Sequence, residues 1–89
     1  MTDKKNKENW VVYILECSDK TLYTGITNNL EKRLEQHNTG SEAAKYTRAR
    51  RPVSCVYNEA QKNRSEATKR EMVIKKLSRT EKLQLIDSN

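Results

Sequence analysis

The chain has only two cysteines, one histidine and no apolar run long enough to span a membrane. Cys17 and Cys55 lie far apart with no CxxC, so a zinc site is excluded in practice and both thiols are expected to be reduced packing residues on strands. The longest apolar run, Trp10 to Leu15, is far short of the roughly 20 residues a membrane helix needs. No signal peptide opens the chain, because "MTDKKNKEN" is charged throughout with no apolar region after it. Residues 1–9 are therefore expected to be a disordered tail on a cytoplasmic protein. No internal repeat and no second domain are visible, which leaves residues 10–89 as one domain.

What the sequence does have is positive charge. Lys and Arg number 18 against 12 Asp and Glu, a formal charge of +6. With no membrane-facing segment to compete for that charge, a nucleic acid is the expected partner, DNA before RNA. At 89 residues, the core must be modest, since such a domain buries only about 60 to 65% of its unfolded surface.

Hydrophobic patterning orders the rest. "WVVYILEC" is β-branched and aromatic on both parities, as suits a strand covered on both faces. A polar link of Ser18, Asp19 and Lys20 joins it to "TLYTGI" as a hairpin. A three-residue loop sets Leu15 opposite Tyr23 and Tyr13 opposite Gly25, making Tyr13 and Tyr23 diagonal neighbours on one face. "TNNLEKRLEQHNTG" predicts a helix with Asn28 as N-cap and a stop at Asn38 to Gly40. On it, Leu30, Leu34 and His37 share a face and Arg33 stands beside them. "SEAAKYTRARRP" predicts a basic loop with one helical turn, ended by Pro52, and "VSCVYNEA" a third strand. A helix near "NRSEATKREMVIKKL" is expected to bury Val73 and Leu77, with Ile74 widening the stripe. At 100° per residue, Glu66 lies within about 20° of their line, so its carboxylate is expected to face the sheet. A Ser78 to Glu81 capping box opens a last helix carrying Leu83 and Ile86.

These faces bring together residue types suited to one reaction. Phosphodiester hydrolysis needs a base for water, cationic donors for the phosphoryl oxygens and stabilisation of the leaving oxygen. A phenol whose pKa a cation lowers supplies the first, arginine the second, and a carboxylate holding hydrated Mg²⁺ the third. Tyr13, Tyr23, Arg33 and Glu66 are the residues turned inward.

At these residues the chain resembles the GIY-YIG nuclease superfamily, within it the small stand-alone bacterial members. "VVY" at 11–13 takes the place of the GIY element and "YTG" at 23–25 that of YIG. Arg33 follows ten residues after Tyr23, His37 one turn later, and Glu66 sits early on the next long helix. "YTGITNNLEKRLEQHN", "AKYTRARRPV" and "SEATKRE" extend the likeness over residues 10–86. The resemblance implies an α/β (α+β) fold, a small three-stranded antiparallel sheet flanked by helices. It also implies divalent-metal-dependent hydrolysis of nucleic-acid phosphodiesters, with one Mg²⁺ or Mn²⁺.

Carried over residue by residue, the resemblance makes Tyr13 and Tyr23 candidates for the base or for positioning water. Arg33 would bind the scissile phosphate, His37 would orient phosphate or base, Glu66 would hold the metal, and Gly25 would permit close approach of substrate or helix. Val11 and Thr24 depart from the motifs at structural positions. Ile26 stands where some relatives carry a lysine, so activation of the phenol falls to Arg33, His37 or Lys45.

The basic stretch adds Lys45, Arg48, Arg50 and Arg51 as expected nucleic-acid contacts. The functional expectation is an endonuclease of low sequence specificity serving DNA repair, recombination or processing, since so short a chain has no separate module to read bases. The alternative is a binding module without turnover that acts inside a larger complex.

Overall fold

The computed structural model describes residues 9–40 and 44–88. The expected tail, apart from Asn9, lies outside them, as does part of the basic loop. Strands β1 (Trp10–Glu16), β2 (Leu22–Thr27) and β3 (Ser54–Gln61) form one antiparallel sheet in the order β2-β1-β3. Helices α1 (Leu30–Thr39) and α2 (Lys45–Arg48) fall between β2 and β3, and α3 (Arg64–Lys75) and α4 (Arg79–Asp87) follow β3. The expected α+β class and three-stranded sheet are what the chain adopts.

β1 is the middle strand, which explains why its apolar residues occupy both parities. Val12 and Ile14 join Tyr57, Ala67 and Ile74 on one face; Tyr13, Leu15 and Cys17 join Val53, with Tyr23, Leu30 and Leu34 against them, on the other. Burying each large aliphatic side chain contributes about 1.5–3 kcal/mol. Both cysteines are free thiols, and burial pushes the Cys17 thiol up. No helix among the described residues is long and apolar enough to cross a membrane.

The hairpin register is the expected one: Leu15 pairs with Tyr23 and Tyr13 with Gly25. Ser18, Asp19 and Lys20 form the loop, closed by the Cys17 N–H donating to the Thr21 carbonyl and the Lys20 N–H to that of Cys17, each at 2.9 Å. Lys20 takes the left-handed position that a three-residue hairpin requires, at φ 72°. Asp19 braces the turn by accepting from the Thr21 N–H at 3.1 Å and the Thr21 hydroxyl at 2.6 Å.

Three helical details depart from the sequence reading. The N-cap of α1 is Asn29 and not Asn28: the Asn29 Oδ1 accepts from the Lys32 N–H at 3.1 Å. More consequentially, α3 turns Ala67 and Ile74 to the sheet and leaves Val73 half exposed. The buried stripe is rotated from the one expected. In α4 the Ser78–Glu81 capping box forms as predicted, but Leu85 packs inward beside Ile86 while Leu83 stays exposed.

Candidate active site

The α1 face of the sheet holds a chain of buried polar groups. Tyr13 and Gly25 are paired across β1 and β2, and the glycine leaves room for the phenol: a Cβ at residue 25 would lie 2.5 Å from the Tyr13 Oη. The close approach that glycine permits is thus to Tyr13 itself. From α1, His37 brings Nε2 to 2.9 Å from that oxygen. From α2, Thr47 brings Oγ1 to 2.7 Å from His37 Nδ1. Tyr13, His37 and Thr47 are all essentially excluded from solvent.

The direction of each bond follows from proton counting. The Thr47 hydroxyl has one hydrogen and donates it to the Ala44 carbonyl at 3.1 Å. Its oxygen therefore accepts from His37 Nδ1–H, which leaves Nε2 as a lone pair accepting the Tyr13 O–H. Burial, reinforced by the charges of Arg33 and Arg51, drives the imidazole pKa down to about 4, so the ring is neutral at ordinary pH. Burial also pushes the Tyr13 phenol up to about 12, opposed by a hydrogen bond from Arg33. At rest the pair is phenol and neutral imidazole.

Arg33 stands at the mouth of this chain. Its Nη1 donates to the Gln36 Oε1 at 3.0 Å. The two side chains border an open cleft of about 210 Å³ with Thr27, Asn28, Asn29 and Lys32. Tyr23 meets the His37 ring edge-on, 5.4 Å between centroids, and stacks on Tyr46 at 6.0 Å. Tyr13, Tyr23, Arg33 and His37 are therefore brought together, as their sequence positions indicated.

Residues 9–84 match the family described as the GIY-YIG catalytic domain. The chain belongs to that family. It is 63% identical over 78 residues to the UPF0213 protein of Syntrophus aciditrophicus, covering 88% of this chain and 90% of that one. To the UPF0213 protein of Clostridium perfringens it is 61% identical over 77 residues, covering 86% and 82%. The NMR structure of a Bacillus halodurans UPF0213 protein aligns with a TM-score of 0.59 at 42% identity, over 91% of this chain and 85% of that one. That of an E. faecalis protein aligns with a TM-score of 0.63 at 41% identity, over 94% and 88%. The kinship with small bacterial members of the superfamily is thus established, and nuclease chemistry is what GIY-YIG membership implies.

In this GIY-YIG domain the carboxylate facing the phenols is not the expected one. Glu66 points outward on α3, with about half its side chain exposed and its carboxylate 3.6 Å from the Lys69 ammonium. Glu71 lies four residues after buried Ala67 and three before buried Ile74, with its side chain only 18% exposed. Its charge is felt at the Tyr13 phenol, which it raises. The Lys75 ammonium is 3.2 Å from its Oε2.

The GIY-YIG domain also spends two of its four expected nucleic-acid contacts internally. Arg51 closes the C-terminus of α1, donating from Nε to the His37 carbonyl at 2.6 Å and from Nη2 to that of Gly40. Arg50 donates to Asp19 and to the Tyr46 carbonyl, each at 3.0 Å, and lies over the Tyr46 ring at 3.9 Å. Lys45 and Arg48 remain at the surface of α2. Thr47, Tyr46 and Glu71 are the residues that sequence reasoning missed. Only Glu71 carried a signal, its spacing from Ile74.

No cluster of three or more His, Cys, Asp or Glu capable of holding a metal occurs among the described residues. One half-buried carboxylate nevertheless suits a hydrated Mg²⁺, which keeps several waters and binds through one or two carboxylates plus substrate phosphate. Glu71, its Oε2 3.2 Å from the Lys75 ammonium, offers one such carboxylate.

Proposed function

We propose that this chain is a divalent-metal-dependent endonuclease that hydrolyses DNA phosphodiester bonds with little sequence preference. The observation that carries the reading is the Tyr13–His37–Thr47 chain with Arg33 beside the phenol. The Tyr13 oxygen donates to His37 and accepts from Arg33, so its remaining lone pair is the one available to take a proton from an attacking water. As it does so, its own proton passes to His37 Nε2, and the Thr47 oxygen holds the imidazolium through Nδ1–H. Arg33 is both the cation that favours charge on the phenol and the donor for a phosphoryl oxygen. Tyr23 walls the site and orients His37 through its ring edge.

Glu71 is the residue that would hold the metal. When bound, the ion supplies the positive charge that the leaving oxygen requires. Lys45 and Arg48 serve as peripheral phosphate contacts. A role in DNA repair, recombination or processing accords with cutting that does not read bases.

The test is cleavage of labelled single-stranded, duplex and branched DNA, and of RNA, with Mg²⁺, Mn²⁺ or chelator, by wild type, Glu71→Gln and Glu66→Gln. Metal-dependent DNA cleavage is expected from wild type and Glu66→Gln and not from Glu71→Gln. Binding without cleavage of any substrate by wild type would refute the enzyme. Full activity in Glu71→Gln would refute the metal residue.

A further inference from the structure

A second groove opens beside Tyr23. It has a volume of about 260 Å³ and is lined by Leu22, Tyr23 and Thr24 of β2, Tyr46 of α2, Lys75 at the end of α3 and Lys82 of α4. Four elements distant in sequence meet there, and the lining carries two ammonium groups and no carboxylate. Like charges converge at some cost unless an anion is to be received, and in a recess with low-dielectric walls their field is concentrated. The acid nearest them is Glu71, bound to Lys75 at 3.2 Å. Lys75 thus borders both the groove and the Glu71 carboxylate whose charge reaches Tyr13.

Its aromatic wall is rigid. Tyr46 is held between the Tyr23 ring, nearly parallel at 22°, and the Arg50 guanidinium at 3.9 Å, and Arg50 is itself anchored to Asp19 at 3.0 Å. Tyr46 remains 37% exposed, and with its ring engaged by both Tyr23 and Arg50 it suits contact with a sugar-phosphate and not intercalation between bases. Two of the three arginines expected to grip nucleic acid, Arg50 and Arg51, are instead consumed in building this wall and in capping α1.

We propose that the groove is a nucleic-acid subsite, taking the sugar-phosphate that flanks the scissile bond on the Tyr23 side, with Lys75 and Lys82 on its phosphate and the Tyr46 edge against its sugar. The proposal rests on the nuclease reading of the adjoining site. It adds Lys75 and Lys82 from segments that the basic loop does not include, and its recognition is of backbone, in keeping with cutting that is blind to sequence.

Binding of a short fluorescein-labelled oligodeoxynucleotide, measured by anisotropy in chelator over a series of salt concentrations, tests the groove without requiring turnover. Lys82→Gln is expected to weaken binding several-fold and to flatten the log K against log salt slope by about 0.7 to 0.9, the loss of one phosphate contact. Lys82→Glu is expected to weaken it further, and Tyr46→Leu to weaken it with no change in slope. Lys76→Gln removes the same charge from an exposed position off the groove and is expected to leave the slope unchanged. An unchanged slope in Lys82→Gln, or an equal change in Lys76→Gln, would overturn the proposal. Thermal melting of each variant confirms that the folded protein is being compared. Metal-dependent cleavage run in parallel separates the two readings: a protein that cuts DNA but binds it independently of Lys82 has the activity without this subsite, and one that binds through Lys82 but never cuts has the subsite without the activity.

Discussion

On one face of the sheet Val12 and Ile14 meet Ala67 and Ile74, an interface any apolar set of equal volume could make. On the other, one strand position away, Tyr13 meets His37 and Thr47, and no side-chain nitrogen or oxygen buried there lacks a partner. Burying a hydroxyl or imidazole without a partner costs about 1–3 kcal/mol, so a polar face is tolerated only if every bond is made. The α3 face tolerates swaps that conserve volume; the α1 face requires a particular arrangement of protons. Polar groups near the α3 side behave differently again. Arg70 grips Glu59 from Nε at 2.7 Å and Nη2 at 3.3 Å, and Tyr57 donates to the same carboxylate. Burial would raise the Glu59 pKa, but those bonds outweigh it and hold the carboxylate below its usual range. That network is closed upon itself, whereas Tyr13 keeps a lone pair.

The largest effect on stability is expected from Ile14→Ala, which opens a cavity on the α3 face. Denaturant unfolding should show a loss of about 2–5 kcal/mol, with the remaining folded fraction still cutting DNA. Next comes acid. The folded His37 pKa, about 4, lies below the ordinary 6.5. The unfolded chain therefore binds the extra proton first, so this stabilisation is complete above pH 6.5 and lost as pH falls toward 4. It amounts to about 3 kcal/mol. Unfolding curves at pH 7 and pH 4.5 should show this loss in wild type and a correspondingly smaller one in His37→Gln. Gly25→Ala follows. The added methyl meets Tyr13 Oη at 2.5 Å, and the enclosed phenol has little room to retreat. A loss of about 1–3 kcal/mol is expected, together with loss of cleavage by the folded protein, which separates it from Ile14→Ala. Smallest is Glu66→Gln, on an exposed salt bridge: stability within about 0.5 kcal/mol of wild type and unchanged cleavage.

The strands and their register were readable because local chemistry fixed them. β1 carries apolar residues on both parities, and Ser18–Asp19–Lys20 admits a three-residue loop that sets Tyr13 opposite Gly25. Arg33 and His37 were readable because Leu30 and Leu34 define one face of α1. Glu71 was hidden by ambiguity in α3, whose Met72, Val73, Ile74 and Leu77 support more than one buried stripe. Small Ala67, flush against the sheet with no exposure, decides between them and carries little weight in a hydrophobicity pattern. Arg50 and Arg51 were hidden for another reason. Their partners are mostly carbonyls at the ends of helices and the carboxylate of a distant turn, groups whose meeting depends on the completed fold. Thr47 sits in a one-turn helix, with nothing in its neighbourhood to mark it as the partner of His37.

The most direct measurement is metal-dependent DNA cleavage by Tyr13→Phe, with the folded fraction of the variant and of wild type matched by circular dichroism. The substitution keeps the ring above Gly25 and removes only the oxygen that links His37 to the attacking water. A loss of about 100-fold or more is expected, on the scale of general-base catalysis, with DNA binding in chelator retained. Cleavage at the wild-type rate by folded Tyr13→Phe would contradict the assignment of this phenol to the chemistry.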